Sequence, residues 1–240
     1  MLLLALAVAP GIAIMWYIYL KDKYDREPLH YLIVSFFLGM LSTLPAIAIQ
    51  MGSSYVLGDV FAGDSIGMYA FYAFFIVALS EEFSKYLMLR YFAYRKKEFN
   101  EPFDGIVYGV MISMGFATLE NILYVQQHGF GTAIVRMFVS VPAHGTFGIL
   151  MGYYVGLAKF ARPNQRLFLW RGLATAVFFH GAFDFFLFLQ QNTKVTVIVS
   201  QGLLAGAAII SFLIAARLSR KAIRLHQELS RLDFEKRNNI

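Results

Sequence analysis

The chain has 240 residues, 58% of them hydrophobic and 15% charged, with a formal net charge of +6 and a mean hydropathy of +0.58. A soluble domain carries roughly 25% charged residues, so this composition specifies a polytopic membrane protein. Zero cysteines exclude disulfides, thiol nucleophiles and thiolate ligands. The basic excess reads as topological rather than as a nucleic-acid surface, because Lys and Arg cluster in alternate connectors and after the last apolar stretch.

Stretches of about 20 apolar residues, enough to cross ~30 Å of hydrocarbon, recur along the chain. They predict seven spans, near 2–20, 29–50, 67–92, 103–127, 132–158, 168–190 and 195–216. The first resembles a signal peptide but lacks a positive leading segment and a clear small-residue cleavage site, and is read as a retained span. Lys21, Lys23 and Arg26 follow it. The connectors 21–28, 93–102 and 159–167 also hold Arg95, Lys96, Lys97, Lys159, Arg162 and Arg166, whereas 51–66, 128–131 and 191–194 hold only Lys194. By the positive-inside rule the N-terminus is outside and the C-terminus cytoplasmic. The predicted fold is therefore an all-α membrane helix bundle, with residues 1–216 transmembrane and 217–240 a basic, weakly amphipathic cytoplasmic tail attracted to anionic lipid.

The ionisable residues inside the spans are unevenly placed. Spans one, two and seven carry none well inside, whereas spans three to six carry Glu81, Glu82, Lys85, Glu120, His144, His180 and Asp184. A charge at mid-bilayer costs ~2.5–3.5 kcal/mol on insertion scales, and such residues face the bundle interior and one another. At 1.5 Å per residue, Glu81 lies ~20 Å, His144 ~18 Å, His180 ~15 Å and Glu120 ~10 Å from the outer ends of their spans. Four helices between 67 and 190 are expected to converge on one polar site.

Helical spacing refines this. Lys85 follows Glu81 by four residues and Glu82 by three, so it can pair with either. His180 and Asp184 share a face, and an Asp accepting from one imidazole nitrogen would leave the other free to act. His144 is followed by Gly148, Gly152 and Gly156, a small-residue stripe that admits a neighbouring helix, and Gly105, Gly109 and Ser113 form a similar one.

Paired carboxylates and two histidines without cysteine suit hydrolysis by an activated water. A glutamate takes the proton from water and passes it to the leaving amine, and a histidine stabilises the oxyanion. The alternative is a zinc site with His144, His180 and a glutamate as its three protein ligands; the residues alone leave both open. No His-Glu-x-x-His, Gly-x-Ser-Gly or paired Gly-x-Gly-Asp and Tyr-Asp motif is present, which argues against zincin, rhomboid-like and presenilin-like sites.

Five segments carry a resemblance: LKDKYDREP (20–28), SEEFSK (80–85), FDGIVYG with GFATLEN (103–121), HGTFGILMGYYVG (144–156) and HGAFD (180–184). Together, from about residue 10 to 190, they resemble the PrsW family of intramembrane proteases. The resemblance implies a multi-pass protease of the bacterial cell membrane, related to the CAAX-protease and bacteriocin-processing superfamily. The members closest to the family's type protein make the first cut in a single-pass anti-sigma factor, on its extracytoplasmic side, and so start a stress response. Carried over by position, Glu81, Glu82, His144 and His180 are the expected catalytic groups, with Glu120 and Asn121 in the second motif. CAAX-type enzymes have Arg and Asn where this chain has Lys85 and Asp184, which argues against a prenylated substrate. The family is described both as glutamic and as metal-dependent. The competing classes are a proton- or ion-coupled transporter, which would favour inverted repeats or broken helices, and a non-catalytic scaffold.

Overall fold

The computed structural model describes residues 2–58, 65–161 and 163–238. Arg162 and positions 59–64 of the connector 51–66 lie outside the described residues. Among the described residues there is no strand. The helices are α1 (Leu2–Lys21), α2 (Leu29–Leu41), α3 (Thr43–Leu57), α4 (Ile66–Phe71), α5 (Leu79–Tyr91), α6 (Asp104–Phe138), α7 (Ser140–Phe160), α8 (Gln165–Phe188), α9 (Thr193–Ile198) and α10 (Gln201–Asn238). A π-helical segment, Tyr72–Ala78, joins α4 to α5.

Among the described residues six helical runs are long and apolar enough to cross a membrane, and one of them, Asp104–Phe160, has 57 residues. Straight, it would extend ~86 Å, nearly three hydrocarbon thicknesses. It does not run straight. Gly129 takes φ 77°, ψ −159°, a region open to glycine at little cost, and Val139 leaves helical geometry before α7 begins. α7 then runs antiparallel along α6, so this run is long enough for two crossings, which would bring the described bundle to seven.

The window expected at 132–158 is therefore two pieces, a short helical stretch after Gly129 and α7 proper. The window expected at 195–216 also divides. The β-branched run around Val195–Val199 makes the short α9, and Val199 is extended (φ −120°, ψ 121°) before α10 starts. α10 then continues unbroken to Asn238. Its later part packs against the bundle: Ser219 Oγ donates to the Thr146 carbonyl at 3.1 Å, and His226 stacks near Tyr153. α2 and α3 bend at Ser42, where Pro45 lacks the N–H that would continue the ladder.

α6 is the central helix. Every residue from Asp104 to Thr118 is buried, the signature of a helix covered on all sides. The glycines explain how closely its neighbours approach. A Cβ at Gly109 would lie 2.7 Å from the Gly148 carbonyl oxygen, and Gly105 faces Gly152 and Gly156 backbone. The two predicted small-residue stripes thus pack against each other. On another face, Gly115 meets the Phe36 carbonyl and Gly39 meets Ile112, which seats α2.

Candidate active site

The ionisable residues of spans three to six meet at a cavity of about 420 Å³, lined among others by Glu81, Glu120, His144, His180 and Asp184. Each element contributes through its helical face. The π segment adds a residue to one turn of span three, a distortion common next to functional sites. After it Ser80, Glu81, Glu82, Ser84 and Lys85 are all buried. Ser113 Oγ donates to the His144 carbonyl at 2.7 Å, which fixes that end of α7 against α6. Gly181 lets α8 close onto Phe74 of the π segment.

The two glutamates differ in what holds them. Lys85 Nζ donates to Glu82 Oε1 at 2.7 Å, and His180 Nδ1 lies 2.8 Å from the same oxygen. Glu81 accepts from Gln50 Nε2 at 3.1 Å through Oε1, while its Oε2 is buried without a hydrogen-bond partner, 3.6 Å from Lys85 Nζ. Glu81 lines the cavity and Glu82 does not.

Lys85 also reaches His144 Nδ1 at 3.1 Å and sits 4.0 Å from the centre of the Phe116 ring, a favourable cation–π distance. A lysine Nζ donates, so Nδ1 accepts, and His144 Nε2 carries a proton toward Glu120 Oε2 at 3.1 Å. The imidazoles of His144 and His180 stand perpendicular with centres 5.0 Å apart, and Phe147 stacks on His180 at 5.1 Å.

His180 departs from the sequence expectation. Its Nε2 faces Asp184 Oδ2 at 3.1 Å as the spacing implied, but Nδ1 is not free, because Glu82 Oε1 occupies it. A neutral ring can donate to only one of these two carboxylates. Asn121 stands back from the cavity: its Nδ2 donates to the Ala7 carbonyl at 2.9 Å, tying α1 to α6.

Two residues at the site were not anticipated. Arg136, on the short stretch after Gly129, donates Nη2 to Glu120 Oε2 at 2.5 Å and Nε to Asn121 Oδ1 at 2.8 Å. Its signal was present, since it is a charge inside the apolar window 132–158. Gln50 gave no comparable signal.

Ligand atoms of Glu81, His144 and His180 all lie within 4.8 Å of one another. A carboxylate and two imidazoles are the donor set of a catalytic zinc site, and the unpartnered Glu81 Oε2 adds a buried oxygen in need of a cation or proton. These residues fit a metal.

A bundle of membrane-crossing helices around a buried acid–imidazole cavity has the frame of a hydrolase working inside the bilayer. The family model described as PrsW family intramembrane metalloprotease matches residues 27–216. Among curated relatives, Protease PrsW of Geobacillus kaustophilus is 42% identical over 190 residues, 79% of this chain and 81% of the relative. Protease PrsW of Bacillus subtilis is 40% identical over 192 residues, 79% and 84% of the two chains. That of Clostridioides difficile is 34% identical over 203 residues, 82% and 84%. No solved structure matches. The chain belongs to the PrsW family: it is a multi-pass bacterial membrane protein and a membrane-embedded peptidase.

Proposed function

We propose that this peptidase cleaves a single-pass membrane protein, an anti-sigma factor-like regulator, in its extracytoplasmic juxtamembrane region, and so starts regulated proteolysis and a stress response. The observation that carries the reading is the cavity itself. It holds Glu81, with one carboxylate oxygen uncommitted, between two imidazoles. Gln50, Tyr72 and Gln191 line it too, near the connectors poor in Lys and Arg, the ends that the positive-inside rule assigns to the outside.

In this reading Glu81 removes a proton from water as the water oxygen attacks the scissile carbonyl. The carbon–nitrogen bond then breaks as the same proton passes to the amine nitrogen, giving an amine and a carboxylic acid that keeps the second water proton. An N–H of His144 or His180, released from its carboxylate partner, donates to the oxyanion. Glu82 and Lys85 position the two imidazoles, Lys85 by bridging Glu82 to His144 and Glu82 by holding His180. Asp184, Glu120 and Asn121 support the imidazoles and Arg136.

Glu81, His144 and His180 would hold a zinc ion, which when bound supplies Lewis-acid polarisation of the scissile carbonyl. With Glu81 among the donors, Glu120 is the cavity-lining glutamate left to carry the proton.

The test is cleavage of a single-pass anti-sigma factor by the purified protein. Glu81→Gln, Glu82→Gln, His144→Ala and His180→Ala are expected to lose cleavage while accumulating normally in the membrane; normal cutting by all four would overturn the reading. Metal analysis with chelation separates the two chemistries. Activity lost on chelation and restored by zinc supports the metal arrangement, whereas a metal-free protein that still cuts supports glutamate-activated water.

A further inference from the structure

Two segments that carry the family resemblance, LKDKYDREP and the start of FDGIVYG, contribute nothing to the cavity. They meet instead at the beginning of α6, ~24 Å along that helix from Glu120. Asp22 and Glu27 come from the connector between α1 and α2, Glu101 from the connector before α6, and Asp104 is the first residue of α6. Asp22, Glu101 and Asp104 are 0% exposed and Glu27 4%. One carboxylate oxygen from each of Asp22, Glu101 and Asp104 lies within 4.8 Å of the others.

The hydrogen bonds leave most of these oxygens over. Asp104 Oδ2 accepts from the Asn100 and Glu101 N–H groups, both at 2.8 Å. Asp22 Oδ2 accepts from the Glu27 N–H at 3.3 Å, and Tyr108 donates its hydroxyl to Glu27 Oε2. Asp22 Oδ1, Asp104 Oδ1, Glu27 Oε1 and both oxygens of Glu101 remain buried with no hydrogen-bond partner. The ion pair recorded for the cluster is Arg237 Nη2 at 3.8 Å from Glu101 Oε2. One guanidinium at that distance cannot compensate four buried carboxylates, and uncompensated buried charge is strongly unfavourable. The local order shows what the site lacks. Backbone N–H groups hold one oxygen each of Asp22 and Asp104 and leave the other oxygen of each unpaired.

We propose that Asp22, Glu101 and Asp104, with Glu27 beside them, bind a hard divalent cation, Ca2+ or Mg2+, that ties the α1–α2 connector to the start of α6. An all-oxygen donor set without imidazole or thiolate selects such ions over zinc or copper. Ser230 Oγ accepts from the Phe103 N–H at 3.3 Å, so the same clamp reaches α10. The site does not depend on the peptidase reading, because none of its residues lines the cavity.

The experiment uses the full chain in detergent, stripped with chelator and then given CaCl2 or MgCl2. At a hundredfold excess over Kd, the melting temperature should rise by about 5–10 °C. The rise should survive in Glu81→Gln, which leaves the acid cluster whole, and vanish in the Glu101→Gln, Asp104→Asn double variant. Should the double variant fail to fold, equilibrium dialysis of radioactive calcium against wild type and Asp22→Asn gives the same reading: one ion bound per wild-type chain, and at least tenfold weaker binding in the variant. No shift and no bound ion in wild type would overturn the proposal, as would a shift unchanged in the double variant.

Discussion

Gln50 gives Glu81 a single hydrogen bond, on Oε1, and leaves Oε2 without one, 3.6 Å from Lys85 Nζ. Bonds to a charged group contribute ~1.5–3 kcal/mol, so Gln50→Leu should lower kcat about 10- to 100-fold with little change in KM. An unchanged kcat would mean that Gln50 does not position the glutamate. Glu120 offers a sharper test. If Glu81 acts as the base, Glu120→Gln costs only the support given to His144 and Arg136, roughly the tenfold lost with one charged hydrogen bond. If Glu81 is a metal ligand, the same change removes the proton carrier, with a loss of at least ~100-fold. At the opposite end, burial pushes the carboxyls of Asp22 up to about 6 and of Glu27 and Glu101 up to about 7. The native state therefore holds more protons than the unfolded chain between about pH 4 and pH 7, so these groups weaken folding as pH rises through that window. Without divalent cations, thermal stability should fall from pH 5 to pH 8, and Glu101→Gln should flatten the fall. An equal slope in wild type and variant would contradict this.

The packing of α6 on α7 rests on glycine backbones in contact. Gly105, Gly109 and Gly152 leave no room for a Cβ, whose nearest neighbours would be backbone atoms rather than movable side-chain ends. Gly152→Ala should therefore cost at least the ~1–3 kcal/mol typical of overpacking, and lower activity as well, because the same seam positions His144. Gly206→Ala, in α10 with nothing within 4 Å of its Cβ, should be neutral or stabilising by up to ~1 kcal/mol. Thermal melts of the two variants check the contrast, and similar melting temperatures would count against the seam. These stripes were readable in the sequence because small residues every four positions mark one helix face whatever lies opposite. The charges on spans three to six were readable for a related reason: each is costly in lipid, so each needs an interior partner. The breaks were readable only in part. Only the one at Val139 was hidden, since Gly129 falls in the expected connector 128–131 behind Gln126, Gln127 and His128; together the two turn Arg136 back over Glu120. Gln50 lies near the end of an ordinary apolar window, and only the tertiary fold brings it to Glu81. The second partner of His180 was hidden similarly, since Glu82 is 98 residues away.

At the scale of the whole molecule, seven crossings would place the N- and C-termini on opposite sides of the membrane, where six would place them together. The cavity is lined by Gln50 of α3, Tyr124 of α6 and Gln191 just after α8, so topology decides on which side a substrate is cut. The sequence makes the question testable, because the chain has zero cysteines and any introduced one reports alone. Ser54, Gln127 and Lys194 are exposed near the Lys- and Arg-poor connectors, and Lys97 and Lys236 are exposed near the other end. With the N-terminus outside, an impermeant maleimide should label Cys placed at the first three positions in intact cells, and at the last two only after lysis. The reverse pattern would move the cavity to the cytoplasmic side and remove the extracytoplasmic cut from the proposed function, while leaving the site chemistry as it stands. Labelling of Gln127→Cys with the Lys97 group would instead mean that α6 does not cross, and that the bundle has six spans. The pattern with Ser54, Gln127 and Lys194 together is the one that antiparallel packing of α6 on α7 requires. A helix that starts at Asp104 beside the basic connector and reaches Gln127 has travelled ~35 Å, enough to cross the hydrocarbon once.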